Sequence, residues 1–146
     1  MKYILCAVCV SAVALLLASV SAVDDEESKN MLRQMASDCV EKTGATEEDL
    51  NDMCDKKLPT TKTGKCLSFC MMQQFNCIDE NGNFQQAEFM DLMKMAVDNE
   101  TMLAMCDDVS KKCVGTKDPN NDNCETAALI MQCLDEGAKE AGYERM

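Results

Sequence analysis

The sequence predicts an all-α protein, a compact six-helix bundle stapled by disulfides. Apolar residues recur at helical spacing in six segments, and no run alternates between apolar and polar residues as a half-buried strand would. Cysteines lie in or beside these segments and can link them. Six of them, with 26, 3, 42, 10 and 8 residues between neighbours, form a spaced pattern: Cys39, Cys66, Cys70, Cys113, Cys124 and Cys133.

The first two predicted helices precede Pro59. Segment one spans about residues 27–41 and has an apolar face that includes Leu32. Segment two begins after Thr46, a favourable N-cap residue, and Asp49 three residues later makes an imperfect capping box. The segment ends before Pro59, because proline has no N–H to donate within a helix.

The next two helices flank a turn. Segment three spans about residues 63–75, and segment four spans about residues 85–97. Both have apolar residues at helical spacing. Between them, Asn81-Gly82 is a typical turn sequence.

The last two helices lie on either side of a second break. Segment five spans about residues 99–113, with Met105 and Val109 in phase on its apolar side. Residues 118–121, Asp-Pro-Asn-Asn, interrupt the helical pattern. Segment six follows over about residues 122–139.

Residues 1–22 have the features of a secretory signal peptide. Lys2 precedes an apolar run over residues 3–17, and small residues lead to a cleavage position before Val23. The alternative is a membrane anchor, but the apolar run is near the short limit for a bilayer span. We therefore predict a secreted, extracellular protein with one helical domain over residues 23–146, in a compartment where cysteines pair.

The chain is strongly acidic. Its net charge is −12, and the leader contains only one charged residue, Lys2, so the mature chain has a net charge of −13. Nucleic-acid binders need a basic face, which this balance excludes. A high net charge favours solubility at high concentration, and a solvated surface explains the acidity better than a specific basic partner.

Helical geometry constrains the cysteines without fixing their pairing. Cys66 and Cys70 lie one helical turn apart and point the same way. They are poorly placed to bond each other and well placed to reach two different elements. Six cysteines still allow fifteen pairings.

Together, several features resemble the insect odorant-binding protein family, whose members are small secreted helical carriers of apolar ligands. These features are the cysteine spacing, the start of segment two at residues 46–50, the turn at residues 81–84 and the Cys124-Glu125 pair. The resemblance implies a bundle that encloses an apolar cavity. It also implies three disulfides: Cys39–Cys70, Cys66–Cys124 and Cys113–Cys133.

Three mature cysteines exceed the family pattern: Cys54, Cys77 and Cys106. Their number is odd, so at least one thiol has no partner within the monomer. Cys77 and Cys106 correspond to pocket-facing positions of the family, and two outcomes stay open for them. They form a fourth bridge, or they are buried thiols that act as small apolar groups.

A ligand pocket is the main functional expectation. The resemblance implies that the following residues line it: Leu32, Ser68, Met72, Cys77, Phe84, Leu92, Ile130 and Leu134. The apolar phase of segment five adds Met105 and Val109. Ser68 is the one polar residue that could anchor a ligand, and the alternative is a hydroxyl bonded back to its own helix. Twelve methionines in the mature chain suit a pocket that accepts varied apolar shapes.

Two short motifs have simpler explanations. Residues 77–88 partly match a calcium loop, but Cys77 occupies its first position, where calcium requires a hard oxygen ligand. Asn99-Glu100-Thr101 is a glycosylation sequon, but Asn99 is also a natural N-cap for segment five, and this simpler role is favoured.

The predicted function is non-covalent carriage of small hydrophobic ligands such as odorants or pheromones. The chain has no histidine, which excludes histidine-based hydrolysis, and we predict no enzymatic activity, cofactor or metal. The alternatives are a salivary or haemolymph scavenger on the same fold and a secreted non-enzymatic signalling protein. A membrane receptor and a second copy of the chain are further candidate partners, whereas nucleic acid and membrane insertion are not expected.

Ligand release must then work without histidine, the side chain that titrates most readily between pH 5 and 8. We expect carboxyl groups with pKa values raised by burial to set the release point, below about pH 5. Tyr143 lies where relatives place an aromatic residue that closes the cavity. The tail over residues 141–146 is therefore expected to act as a short lid.

Overall fold

A computed structural model of the chain describes residues 25–143, and this part of the chain contains six helices. They are α1 Asp25–Thr43, α2 Glu47–Cys54, α3 Lys62–Gln74, α4 Gln86–Ala96, α5 Glu100–Cys113 and α6 Asn123–Glu140. All six predicted segments are confirmed. Across the described residues, strand-like pairing is limited to one isolated bridge, between Ile78 and Phe84 around the predicted turn. The predicted signal peptide lies outside the described residues.

Side-chain caps explain where several helices begin. Thr61, Asn99 and Asp122 each accept a hydrogen bond from a backbone N–H in the first turn of α3, α5 and α6. At α2, the capping box is complete: Thr46 accepts from the Asp49 N–H, and Asp49 accepts from the Thr46 N–H. Asp49 therefore takes the capping role that glutamate usually has, although its side chain is shorter.

Helix α3 lies between two apolar clusters and shares its largest contact with α6. On one side is the α1–α2 cluster, formed by Leu32, Ala36, Cys39, Leu50, Met53, Cys54, Leu67 and Met71. On the other side is the main cluster, built mostly from α4, α5 and α6. Its buried members are Met72, Cys77, Ile78, Phe84, Phe89, Met90, Leu92, Met93, Ala96, Val97, Met102, Cys106, Val109, Cys113, Ala127, Ile130, Met131, Leu134 and Ala138.

Three disulfides join the helices in the pairing that the family resemblance implied. Cys39–Cys70 links α1 to α3, Cys66–Cys124 links α3 to α6, and Cys113–Cys133 links α5 to α6. The two cysteines of α3 thus reach two different helices, as their spacing indicated. Each bridge lowers the conformational entropy of the unfolded chain, which stabilises the folded state by roughly 3–4 kcal/mol.

The fourth bridge considered for Cys77 and Cys106 does not form. Within the described residues, Cys54 and Cys106 are free, and both are buried. Burial raises the pKa of the Cys106 thiol to about 11, so the thiol stays protonated near neutral pH. Cys106 is therefore an apolar member of the main cluster rather than a reactive group.

None of the helices in residues 25–143 combines the length and the apolar character needed to cross a membrane.

Candidate ligand-binding site

A groove of about 620 Å³ lies between α5 and the C-terminal end of α6. Its volume is in the range of small-molecule sites, roughly 300–1,000 Å³. The lining combines apolar groups with charged and polar groups: Thr101, Ala104, Met105, Asp108, Val109, Lys112, Gly137, Glu140, Ala141 and Tyr143. Val109 belongs to the main cluster, and Met105 and Tyr143 pack against it, so the groove adjoins the apolar interior.

The close approach of α5 and α6 depends on a glycine. An added Cβ at Gly137 would lie only 2.6 Å from Cγ1 of Val109. The Cys113–Cys133 bridge also holds this pair of helices together. The absence of a side chain at Gly137 therefore allows α5 and α6 to approach this closely beside the groove.

We expect Gly137→Ala to destabilise the protein by about 1–2 kcal/mol, because the stiff Val109 side chain leaves no room for the methyl group. In the Val109→Ala background, the same substitution should instead stabilise it by about 0.5–1 kcal/mol, the usual gain of alanine over glycine in a helix. Denaturant unfolding of the four proteins in this double-mutant cycle measures both values. Equal effects in the two backgrounds would contradict the steric explanation.

The end of α6 turns Tyr143 back towards the groove. Gly142 adopts a positive φ of 89°, a conformation that suits glycine. Its N–H donates to the Lys139 carbonyl at 3.0 Å, and the Tyr143 N–H donates to the Ala138 carbonyl at 3.1 Å. These two bonds are those of a Schellman motif, which fixes the direction in which the chain leaves the helix.

The structure brings nine of the eleven expected pocket residues to one apolar region. Seven are buried in the main cluster: Met72, Cys77, Phe84, Leu92, Val109, Ile130 and Leu134. Val109 also lines the adjoining groove, together with Met105 and Tyr143. Their role in binding stays a prediction.

The other two expected residues lie elsewhere. Leu32 belongs to the α1–α2 cluster. The Ser68 hydroxyl donates to the Gly64 carbonyl at 3.1 Å, which is the bond within its own helix and the alternative to a ligand anchor. Ser68 also faces a separate small gap of about 10 Å³ beside Asp49 and Met131. That space holds no more than about one water molecule.

The sequence interpretation did not identify the charged residues at the groove. Asp108, Lys112 and Glu140 line it together with the apolar groups. Met105, Asp108, Val109 and Lys112 follow the i, i+3, i+4, i+7 spacing of one helix face. This spacing could have identified two of the three charged residues, whereas the contribution of Glu140 depends on how α6 packs.

The buried carboxyl group of Asp49 has a lowered pKa, whereas a raised pKa is expected from burial alone. Burial works to raise the pKa of Asp49, but hydrogen bonds from Thr61, Thr63 and Thr46 outweigh it and hold the pKa at about 2. Burial therefore does not raise the pKa of Asp49, and the role of carboxyl groups with raised pKa values in ligand release stays a prediction. Asp79 is similar: hydrogen bonds from Asn83, the largest cause, and from Asn81 lower its pKa.

The same bonds explain the partial match to a calcium loop. The Asp79 carboxylate accepts from the backbone N–H groups of Asn81 and Asn83 and from the Asn83 side chain, so it organises its own turn. No group of three or more metal-ligating side chains occurs within residues 25–143.

Comparison with known proteins identifies the family. The model of the PBP/GOBP family matches residues 21–137. General odorant-binding protein 19d of Drosophila melanogaster is 30% identical over 132 residues, which cover 89% of this chain and 87% of the relative. General odorant-binding protein 28a of the same species is 30% identical over 126 residues, covering 86% and 87%.

A solved structure supports the same family assignment. Odorant-binding protein dmelOBP28a from Drosophila melanogaster superposes with a TM-score of 0.67 at 29% identity, over 82% of this chain and 99% of that one. The likeness therefore extends over nearly the whole of that chain. The chain belongs to the PBP/GOBP family of insect odorant-binding proteins.

Proposed function

We propose that this protein is a secreted carrier that binds small hydrophobic molecules, odorant- or pheromone-like, without forming a covalent bond. The observation that supports this most strongly is the convergence of nine expected pocket residues on the main cluster and its groove. Family membership supports the same function, because the relatives are named for odorant binding. Secretion rests on the leader predicted over residues 1–22.

The composition of the main cluster suits ligands of varied shape. Five of its buried members are methionines: Met72, Met90, Met93, Met102 and Met131. Methionine is unbranched and polarizable, so it can repack around different apolar molecules. Micromolar affinity, about −8 kcal/mol, is sufficient for carriage.

The proposal involves no bond-breaking step. The chain has no histidine to act as a general base, and the buried Cys106 thiol is held in its protonated form. Binding then rests mainly on apolar burial, and the charged residues at the groove orient any polar end of the ligand.

A matched pair of methionine variants tests the groove. Met105 lines it, whereas Met95 is 49% exposed on α4 and does not. A fluorescent apolar probe should bind the oxidised protein with micromolar affinity. Met105→Gln should weaken it about tenfold, or about 1.4 kcal/mol, because an amide would face the probe. Met95→Gln should leave the affinity unchanged.

Two outcomes would contradict the proposal in different ways. Equal affinities of both variants and the wild type would show that ligands do not use the groove. Failure of every apolar probe and of medium-chain alcohols, esters and terpenoids to bind the correctly oxidised wild type would overturn the carrier function itself.

Release should depend little on pH near neutrality. No histidine is present, and hydrogen bonds hold the pKa of the buried Asp49 at about 2. We therefore expect the probe affinity to be nearly flat from about pH 7.5 to 5.5 and to fall only near the ordinary carboxyl range, around pH 4. A fluorescence titration across this range measures it, and a steep loss centred near pH 6.5 would contradict it.

A further inference from the structure

The connector between α4 and α5 exposes a sequon. Asn99, Glu100 and Thr101 are all solvent-exposed. The backbone is extended at Val97, with φ −123° and ψ 121°, and at Asn99, with φ −109° and ψ 114°. An exposed Asn-X-Thr sequence that begins in a connector and continues into the first turn of a helix is accessible to a modifying enzyme.

The two ends of the Asn99 side chain have separate roles. Its Oδ1 accepts a hydrogen bond of 3.0 Å from the Met102 N–H and so caps α5. Its Nδ2 makes no hydrogen bond within the described part of the chain. The sequence posed capping and glycosylation as alternatives, but the structure makes them compatible, because glycosylation changes Nδ2 and leaves Oδ1 in place.

We propose that Asn99 is N-glycosylated, an inference that rests on the proposed secretion. The donor is an oligosaccharide linked to a polyprenyl diphosphate. The bond between its first sugar carbon and the diphosphate breaks, and Nδ2 forms a new bond to that carbon and loses one proton. The lipid diphosphate leaves, and no electrons are gained or lost.

The glycan position has a structural consequence. Thr101, the third residue of the sequon, lines the groove between α5 and α6. The sugar attachment point is therefore two residues from the ligand-binding groove, on the same end of α5.

The test uses the full chain expressed in insect cells, with secreted protein analysed by intact mass and peptide mapping. The wild type and Thr101→Ser should have a glycan on Asn99, because both retain the sequon. Thr101→Ala and Asn99→Asp should lack it. Asn99→Asp keeps a capping oxygen, so its thermal stability should match that of enzymatically deglycosylated wild type.

The outcomes separate this inference from the proposed function. A secreted wild type with unmodified Asn99 overturns the glycosylation and leaves the carrier function intact. A full chain that stays inside the cell without a glycan overturns both the secretion and the glycosylation. A wild-type glycan that maps to a residue other than Asn99, and that therefore persists in Thr101→Ala, would also overturn the inference.

Discussion

Replacing Cys66 and Cys124 together by alanine should lower the free energy of unfolding by about 4 kcal/mol. These residues are 58 positions apart, the largest separation among the three bridges that join described helices, so of these three their bond removes the most entropy from the unfolded chain. The corresponding loss for Cys113 and Cys133, which are 20 positions apart, should be about 3 kcal/mol. Denaturant unfolding followed by helical circular dichroism measures both losses.

A free cysteine provides the control. Cys54 is buried but bonded to no other cysteine, so Cys54→Ala removes a similar small apolar group without opening a bridge. Its cost should stay near 1 kcal/mol. If the Cys66/Cys124 variant lost no more stability than Cys54→Ala, the bridges would not be the main support of the fold.

The second large effect is expected at Asp49, where Asp49→Ala should lower the free energy of unfolding by about 3 kcal/mol. The side chain is only 7% exposed, and it accepts hydrogen bonds from the Thr46 N–H at 2.9 Å, from the Thr63 hydroxyl at 2.6 Å and from the Thr61 hydroxyl. Alanine would remove all three bonds, and a single hydrogen bond to a charged group contributes about 1.5–3 kcal/mol. The helix starts of α2 and α3 would lose their common anchor.

Asp52→Ala is the matched control for this prediction. Asp52 pairs with Lys57 across exposed surface, at 3.1 Å, on the same helix as Asp49. Its removal should cost less than about 1 kcal/mol, as for most surface ion pairs. Equal losses for the two variants would show that the Asp49 hydrogen bonds contribute little.

The Asp49 contribution should also depend on pH. Its folded pKa of about 2 lies below the ordinary value of 3.8, so the stabilisation is complete above the ordinary pKa. It is lost as the pH falls through the range from about 4 to 2. The stability difference between the wild type and Asp49→Asn should therefore be constant from about pH 7 to 5 and shrink below that. A difference that stays constant down to pH 2 would contradict the lowered pKa.

The helices could be predicted because their determinants are local. Apolar spacing, N-cap residues such as Thr46 and Asn99, and the break at Asp118-Pro119 all act within a few residues of the chain. The bond from Thr61 to Asp49 could not be predicted in this way, because it forms only when α2 and α3 meet.

For the disulfides and the groove as well, some features follow from local sequence and others depend on how the helices pack. Helical spacing alone indicated that Cys66 and Cys70 reach different elements, whereas choosing among fifteen pairings required the family resemblance. The groove depends on Gly137 opposite Val109, a contact between helices that no local pattern reveals. From the sequence, Cys106 could form a bridge or remain a buried thiol. The structure shows that it is a free thiol buried in the main cluster.

Native mass spectrometry of the protein purified from its own source tests the carrier function most directly. We expect a population whose mass exceeds that of the oxidised chain by one small apolar molecule, which organic extraction removes and a terpenoid or medium-chain ester displaces. Oxidised protein that arrives without any such molecule, and that takes up none from a mixture of apolar compounds, would contradict the account.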